Sequence, residues 1–216
     1  MLTMLEEVVL LAVDETSGGL RSTREFGTAY ALVGAVFFDL ALAGKIDTDT
    51  EAIRIVDRTP TGNATLDSVL DAMAGHPHIS TVRQWIEEMF ERRHDFEGAA
   101  LRSLIVQGIL CHEKTKRLWF IDVERFPLLN NRPQQHVKIR LADAILTDRI
   151  PDTRDIMLVS IAEACGLLGY VLSDAQLSAR RQRIQTLCGL ETISRKVTAA
   201  IADLDHSMRH SVTKVV

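Results

Sequence analysis

The run Thr28–Ala43 (TAYALVGAVFFDLALA) constrains this chain more than any other segment: it is apolar on every side and carries one charged residue, Asp39. A helix without a polar face must be surrounded by other elements. The run falls short of the roughly 20 apolar residues a bilayer span requires, and Gly27 and Gly44 bound it. A buried central helix is therefore expected, with other helices packed around it. The stretch Asp152–Leu172 is apolar nearly all round and predicts a second buried helix.

The remaining periodic segments also read as helices. Thr3-x-x-Glu6 is a capping box ahead of Leu5, Val8, Val9 and Ala12, and Ser17-Gly18-Gly19 stops that helix. Lys45–Asp47 and Ala52–Val56 flank a polar turn and predict a small β-hairpin with Ile53 and Ile55 on one face, and Thr59–Asn63 a loop before a helix over 65–74. Ser80 or Thr81 caps a helix with Val82, Trp85, Ile86, Met89 and Phe90 on one face. Further helices are expected over 98–109, from Asn131 with Pro133 in its first turn, from Ser173 to Gly189, and over 193–204. Residues 111–124 read as a second hairpin. The fold class is mostly α: a single compact α-helical domain over 1–205 with one or two small β-hairpins, and a frayed tail over 206–216.

Hydrophobic residues at 46% and charged residues at 25% exclude bulk disorder and collagen. A net charge of −4 argues against a chain built to coat nucleic acid. Residues 1–100 hold 8 basic and 17 acidic side chains, and residues 101–216 hold 17 and 12. That split either gives the molecule an acidic and a basic face or averages out over the surface. Met1–Val13 lacks the basic start of a signal peptide.

No phosphate loop, H-E-x-x-H, C-x-x-C or G-x-S-x-G is present, so the chain reads as a non-enzyme with no cofactor and no metal. Cys111, Cys165 and Cys188 read as free buried thiols, and His76 and His78 as surface residues of a loop. Glu6-Glu7 and Glu87-Glu88 read as solvated faces. Asp39 is either a base with a raised pKa or, the stronger reading, an acid paired with a cation or a backbone donor. Material for phosphate binding is richer: Arg21 and Arg24, then Arg92-Arg93-His94, then Lys114, Lys116 and Arg117, then Arg180, Arg181 and Arg183. The helix over 98–110 followed by a basic hairpin also outlines a winged-helix nucleic-acid module, although Arg102 is its one base-reading side chain. A soluble scaffold that self-associates through the hairpin is a third reading.

The segments LTMLEEVVLLAV, DLALAGKI (39–46), TPTGNATLDSVL (59–70), TVRQWIEEM (81–89), IVQGILCHE (105–113) and WFIDVERFPLLNN (119–131) resemble, in order, the Golgi phosphoprotein 3 family. The resemblance covers residues 2–204. It implies a mostly helical domain with a projecting hairpin over 111–124. It further implies a peripheral protein of the cytosolic membrane face, similar to the phosphatidylinositol 4-phosphate-binding eukaryotic members, that engages anionic lipid headgroups, the cytosolic tails of membrane proteins, or both, with the eukaryotic headgroup residues only partly kept and no nucleic-acid partner. The hairpin, with Lys114, Lys116, Arg117 and Trp119, would then serve membrane contact and homo-oligomer formation. Of the family's headgroup positions, the tryptophan falls on Arg24, the arginine on Val33, and two basic residues on His94 and Glu97. Arg92 and Arg93 can substitute for the last pair. A start directly at the domain, with short loops, resembles a bacterial member.

Overall fold

The computed structural model describes residues 1–21, 27–48, 52–117 and 121–212, with the backbone alone at 115–117, 121, 122, 205 and 208–212. At its centre lies the apolar run, as helix α2 (Gly27–Leu42). Around it pack α1 (Met4–Ala12), α4 (Val82–Phe90), α5 (Arg93–Val106), α7 (Thr153–Ala164) and α10 (Thr192–Val212). At its middle, a Cβ built on Gly34 would stand 2.5 Å from Ile161 Cδ1 and 3.1 Å from Val197 Cγ1, so α7 and α10 approach α2 where it has no side chain. In a second tier, α6 (Arg132–Leu146) packs on α1 and α7, α9 (Arg181–Cys188) on α7, and α3 (Ala64–Gly75) beside α2. Two antiparallel hairpins complete the described fold: β1 (Ile46–Thr48) with β2 (Ile53–Ile55), and β3 (Glu113–Arg117) with β4 (Ile121–Arg125). The mostly α expectation is met.

Local chemistry sets most helix ends. Thr3 Oγ1 accepts the Glu6 amide at 3.1 Å while the Glu6 carboxylate accepts the Thr3 amide at 2.7 Å, and Thr81 with Gln84 repeats the arrangement on α4. Asn131 leaves α6 without a side-chain cap; Asn130 Oδ1 instead accepts the Arg132 amide at 3.1 Å. Four boundaries differ from the sequence expectation. First, α5 begins at Arg93, directly after α4, and carries Gly98 inside it. Second, the apolar run from Asp152 stops at Ala164, and Gly166, at φ +76°, turns the chain into a 3-10 turn over Leu167–Tyr170. Third, the stretch after Ser173 breaks at Arg180 into α8 (Asp174–Ala179) and α9. Last, α10 keeps its helical backbone past His206 to Val212.

The largest correction concerns Glu6 and Glu7. Both are buried, at 6% and 2% exposure, because α2, α5 and α6 enclose α1. Each carboxylate has found partners far along the chain, as burial of a charge requires. Glu6 accepts Ser103 Oγ at 2.6 Å and Gln107 Nε2 at 2.9 Å. Glu7 accepts Arg140 Nη1 at 2.6 Å and Arg154 Nη2 at 3.1 Å, and Arg140 also grips Asp155. Glu87 and Glu88 are exposed, as expected.

Asp39 accepts the amides of Met4 at 2.8 Å and Leu5 at 3.1 Å, with Arg154 Nη1 at 4.0 Å. It thus caps the start of α1 from a neighbouring helix, as the backbone-donor reading foresaw. Burial outweighs these contacts and pushes its carboxyl up from 3.8 to about 6. An acid with a higher pKa folded than unfolded stabilises the fold while protonated. That contribution is complete below about pH 4 and disappears as pH rises through about 6, a change of about 3 kcal/mol. Asp57, held down to about 2 chiefly by Lys45, acts in the opposite sense at lower pH. The advantage of the wild type over Asp39→Asn in urea unfolding should therefore shrink by about 3 kcal/mol between about pH 4 and about pH 7. A difference independent of pH contradicts this.

Candidate functional site

The sequence-predicted cations separate into those the fold consumes and those it presents. Arg180 donates to Leu146 O at 2.5 Å and to Asp148 at 3.3 Å. Arg183 donates to Ala144 O at 3.3 and 3.2 Å and also reaches Arg149 O. These guanidiniums satisfy carbonyls at and beyond the C-terminal end of α6, where positive charge is favourable. Arg21 pairs with Asp14 at 2.5 Å and lies 4.5 Å over the Tyr170 ring. All three already have partners within the protein.

Arg92, Arg93 and His94 stand together at the α4–α5 junction. Arg92 donates to Ser68 Oγ on α3 at 2.8 Å and to Ser68 O at 3.4 Å, with its guanidinium 5.5 Å from the Phe96 ring centre. Arg93 turns back, donates one N–H to Phe90 O at 3.0 Å, and lies 4.5 Å over the Phe90 ring. Phe90 in turn packs on Tyr30, one turn into α2, with ring centres 4.7 Å apart. The Arg93 guanidinium is thereby held on an aromatic stack beside the N-terminal end of the central helix. A guanidinium carries five N–H donors, so most of those on Arg93 remain for an acceptor outside the protein. His94 is exposed and Glu97 half-buried. Burial raises the Glu97 carboxyl above its ordinary value, against the pull of His94. Val33 is buried within α2. Arg24 lies outside the described residues.

The β3–β4 ribbon is attached to the turn that follows α1. Phe126 N–H donates to Gly18 O at 2.6 Å, Arg125 Nη1 to Ser17 O at 3.2 Å, and Cys111 N–H to Pro127 O at 3.0 Å. His112 stacks on Phe126 with ring centres 5.3 Å apart. Glu124 lies 3.6 Å from His112 Nε2 and 3.9 Å from Lys114 Nζ. Lys114 is exposed, Lys116 and Arg117 are placed on β3 by their backbone, and Trp119 lies outside the described residues. The Ser17-Gly18-Gly19 turn therefore seats the ribbon as well as ending α1. Beyond it, Arg21 O accepts Thr28 Oγ1 at 3.1 Å, so the same loop leads into the start of α2. Gly18 has φ +65°, and a Cβ there would lie 2.7 Å from Pro127 N. Gly18→Ala should cost about 2 kcal/mol and speed hydrogen exchange at Phe126 ahead of the core helices. Unchanged stability contradicts that seating.

A depression of about 560 Å³ between α6 and α7 lies away from this chemistry, and its Arg140 and Arg149 are already paired with Asp155 and Asp143. Among the described residues no group of three or more His, Cys, Asp or Glu side chains is placed to hold a metal ion. Nor is any described helix long and apolar enough to cross a membrane. The three cysteines form no disulfide with one another, and only Cys165 is fully buried.

The Golgi phosphoprotein 3 (GPP34) family matches residues 4–204. The chain belongs to that family. A vacuolar protein sorting-associated protein 74 of Eremothecium gossypii is 26% identical over 83% of the chain, which spans 64% of that relative's length. In this Golgi phosphoprotein 3 family member the match takes in both α2 and the ribbon. The buried acids, which sequence reasoning missed, had one visible signal: adjacent glutamates inside a helix otherwise apolar from Met4 to Ala12.

Proposed function

We propose that this protein is a peripheral membrane-associated binding protein that engages anionic lipid headgroups at the α4–α5 junction. The observation that carries the reading is the Arg93–Phe90–Tyr30 stack, which fixes a guanidinium at the surface with donors to spare. Arg92 adds positive charge although two of its N–H groups are spent on Ser68, His94 next to Arg93 is exposed, and the exposed Lys114 on the ribbon offers a further cation to an anionic surface. Family membership favours lipid and tail recognition over nucleic acid.

Co-sedimentation with phosphatidylcholine vesicles, with and without phosphatidylglycerol, tests the proposal. Binding should require the anionic lipid and weaken as salt shortens the Debye length from about 10 Å at 0.1 M. Arg93→Gln should weaken it about fivefold, in keeping with about 1 kcal/mol for each cation near such a surface. Binding indifferent to lipid charge and salt contradicts the proposal. A second reading, self-association through the ribbon, rests on its being a two-stranded sheet whose outer edges pair with no other strand among the described residues. A sizing profile that shifts to smaller species on deleting 113–117 would support it.

A further inference from the structure

Helix α6 buries Val137, Leu141, Ala144 and Ile145 against the body of the protein and turns Arg132, His136, Ile139 and Asp143 to solvent. Steps of three and four residues set these last side chains in one stripe down the helix. Ile139, in the middle of the stripe, is 64% exposed, and Leu129 before the helix and Ile150 after it are 66% and 85% exposed. Leu129 and Arg132 line one depression at the start of α6, while Ile139, Asp143 and Ile150 line the larger one towards its end. The exposed aliphatic side chains here thus follow the stripe, whereas those of an ordinary surface are scattered singly.

The stripe changes its chemistry at Ile139. The donors Arg132 and His136 precede it; the carboxylate of Asp143 follows, and Asp148, 89% exposed, lies just beyond the helix. Arg149 reaches Asp143 at 3.3 Å, but that pair is 80% and 46% exposed and leaves the carboxylate open to a second donor. A partner surface of one sign would match one half of this face and oppose the other. A second copy of α6, laid antiparallel across a two-fold axis at Ile139, matches both halves at once.

We propose that the outer face of α6 is an interface between two copies of this chain, with the helices antiparallel and Ile139 meeting its equivalent at the axis. His136 and Asp143 stand about one turn to either side of Ile139, so each imidazole faces Asp143 of the partner subunit. Arg132, at the start of the helix, comes beside the acidic end that holds Asp148. Such a contact is isologous: one patch serves both subunits. It lies on elements other than the β3–β4 ribbon and does not depend on lipid binding. A single helix face with its flanking loops is small for an interface, so the dimer forms and dissociates readily.

Sedimentation velocity of the full chain in low salt should show a shift from monomer to dimer between about 1 and about 100 µM. Ile139→Asp places two carboxylates at the axis and should weaken association about tenfold or more. His136→Glu and Asp143→Lys should each weaken it about fivefold, because each sets like charges, or a cation and an imidazole, face to face. An equal mixture of these two variants should associate again, since Glu at 136 of one then faces Lys at 143 of the other. Circular dichroism checks that every variant keeps its helices, and all three positions are exposed. Deleting 113–117 should leave this dimer in place, which separates it from association through the ribbon. A wild type that stays monomeric at about 100 µM, or association that Ile139→Asp leaves unchanged, overturns the interface. Failure of the mixed variants to associate overturns the antiparallel arrangement.

Discussion

Glu7→Leu is expected to lower the unfolding free energy by about 3 kcal/mol, which for a domain of this size is a fall of about 6–12 °C in melting temperature. The Glu7 carboxylate is the shared acceptor for Arg140 and Arg154, which come from α6 and α7. Leucine fills the space but leaves both guanidiniums short of an acceptor, and Arg154 already has a buried Nε without a partner. Breaking a buried ion pair from one side typically costs about 3–5 kcal/mol. The low end applies because Arg140 and Arg154 keep some contact with water, at 22% and 18% side-chain exposure. Adding Arg140→Met should recover part of the loss, since removing both partners is cheaper than removing one. A thermal melt that Glu7→Leu leaves unmoved would show that the network contributes nothing.

Gly34→Leu should cost about as much, by a different mechanism. Its side chain would enter space held by Ile161 Cδ1, Val197 Cγ1 and Ile201 Cδ1, at 2.5, 3.1 and 3.4 Å from the Cβ position. Overpacking of this kind typically costs about 1–3 kcal/mol, and here α2 is enclosed on several sides and cannot retreat. Gly34→Ala should be much milder. Its clash falls mainly on the end of an isoleucine side chain, and alanine recovers about 1 kcal/mol of helix propensity. Urea unfolding of the two variants should separate them by about 2 kcal/mol, and equal midpoints would mean that α7 and α10 do not close on α2 at this residue.

The parts of the fold that were legible in the sequence are those decided within a few residues. The capping box at Thr3, the apolar face of α4 and the enclosure of α2 depend on spacing alone. What escaped depends on partners far along the chain. Nothing near Arg180 announces a helix break; the break stands where its guanidinium reaches the end of α6. Glu6 and Glu7 read as surface because their partners lie at Ser103, Gln107, Arg140 and Arg154. The early start of α5 was hidden because its N-cap is Arg92, which makes no side-chain cap hydrogen bond. That start places Arg93 and Glu97 on one face. Of the candidate site, the cluster at 92–94 was visible as composition, but its aromatic seat on Phe90 and Tyr30 is a tertiary fact. The other basic clusters show why composition alone misleads: arginines suited to phosphate are equally suited to the carbonyls of a helix end.

Backbone amide NMR with and without phosphatidylglycerol in bicelles reads out whether the α4–α5 junction is where this protein meets an anionic headgroup. Chemical-shift changes should concentrate at residues 90–97 and at the first turn of α2 around Tyr30, and Arg93→Gln should reduce them. Changes confined to the ribbon or to the α6–α7 depression, with residues 90–97 unmoved, would contradict it.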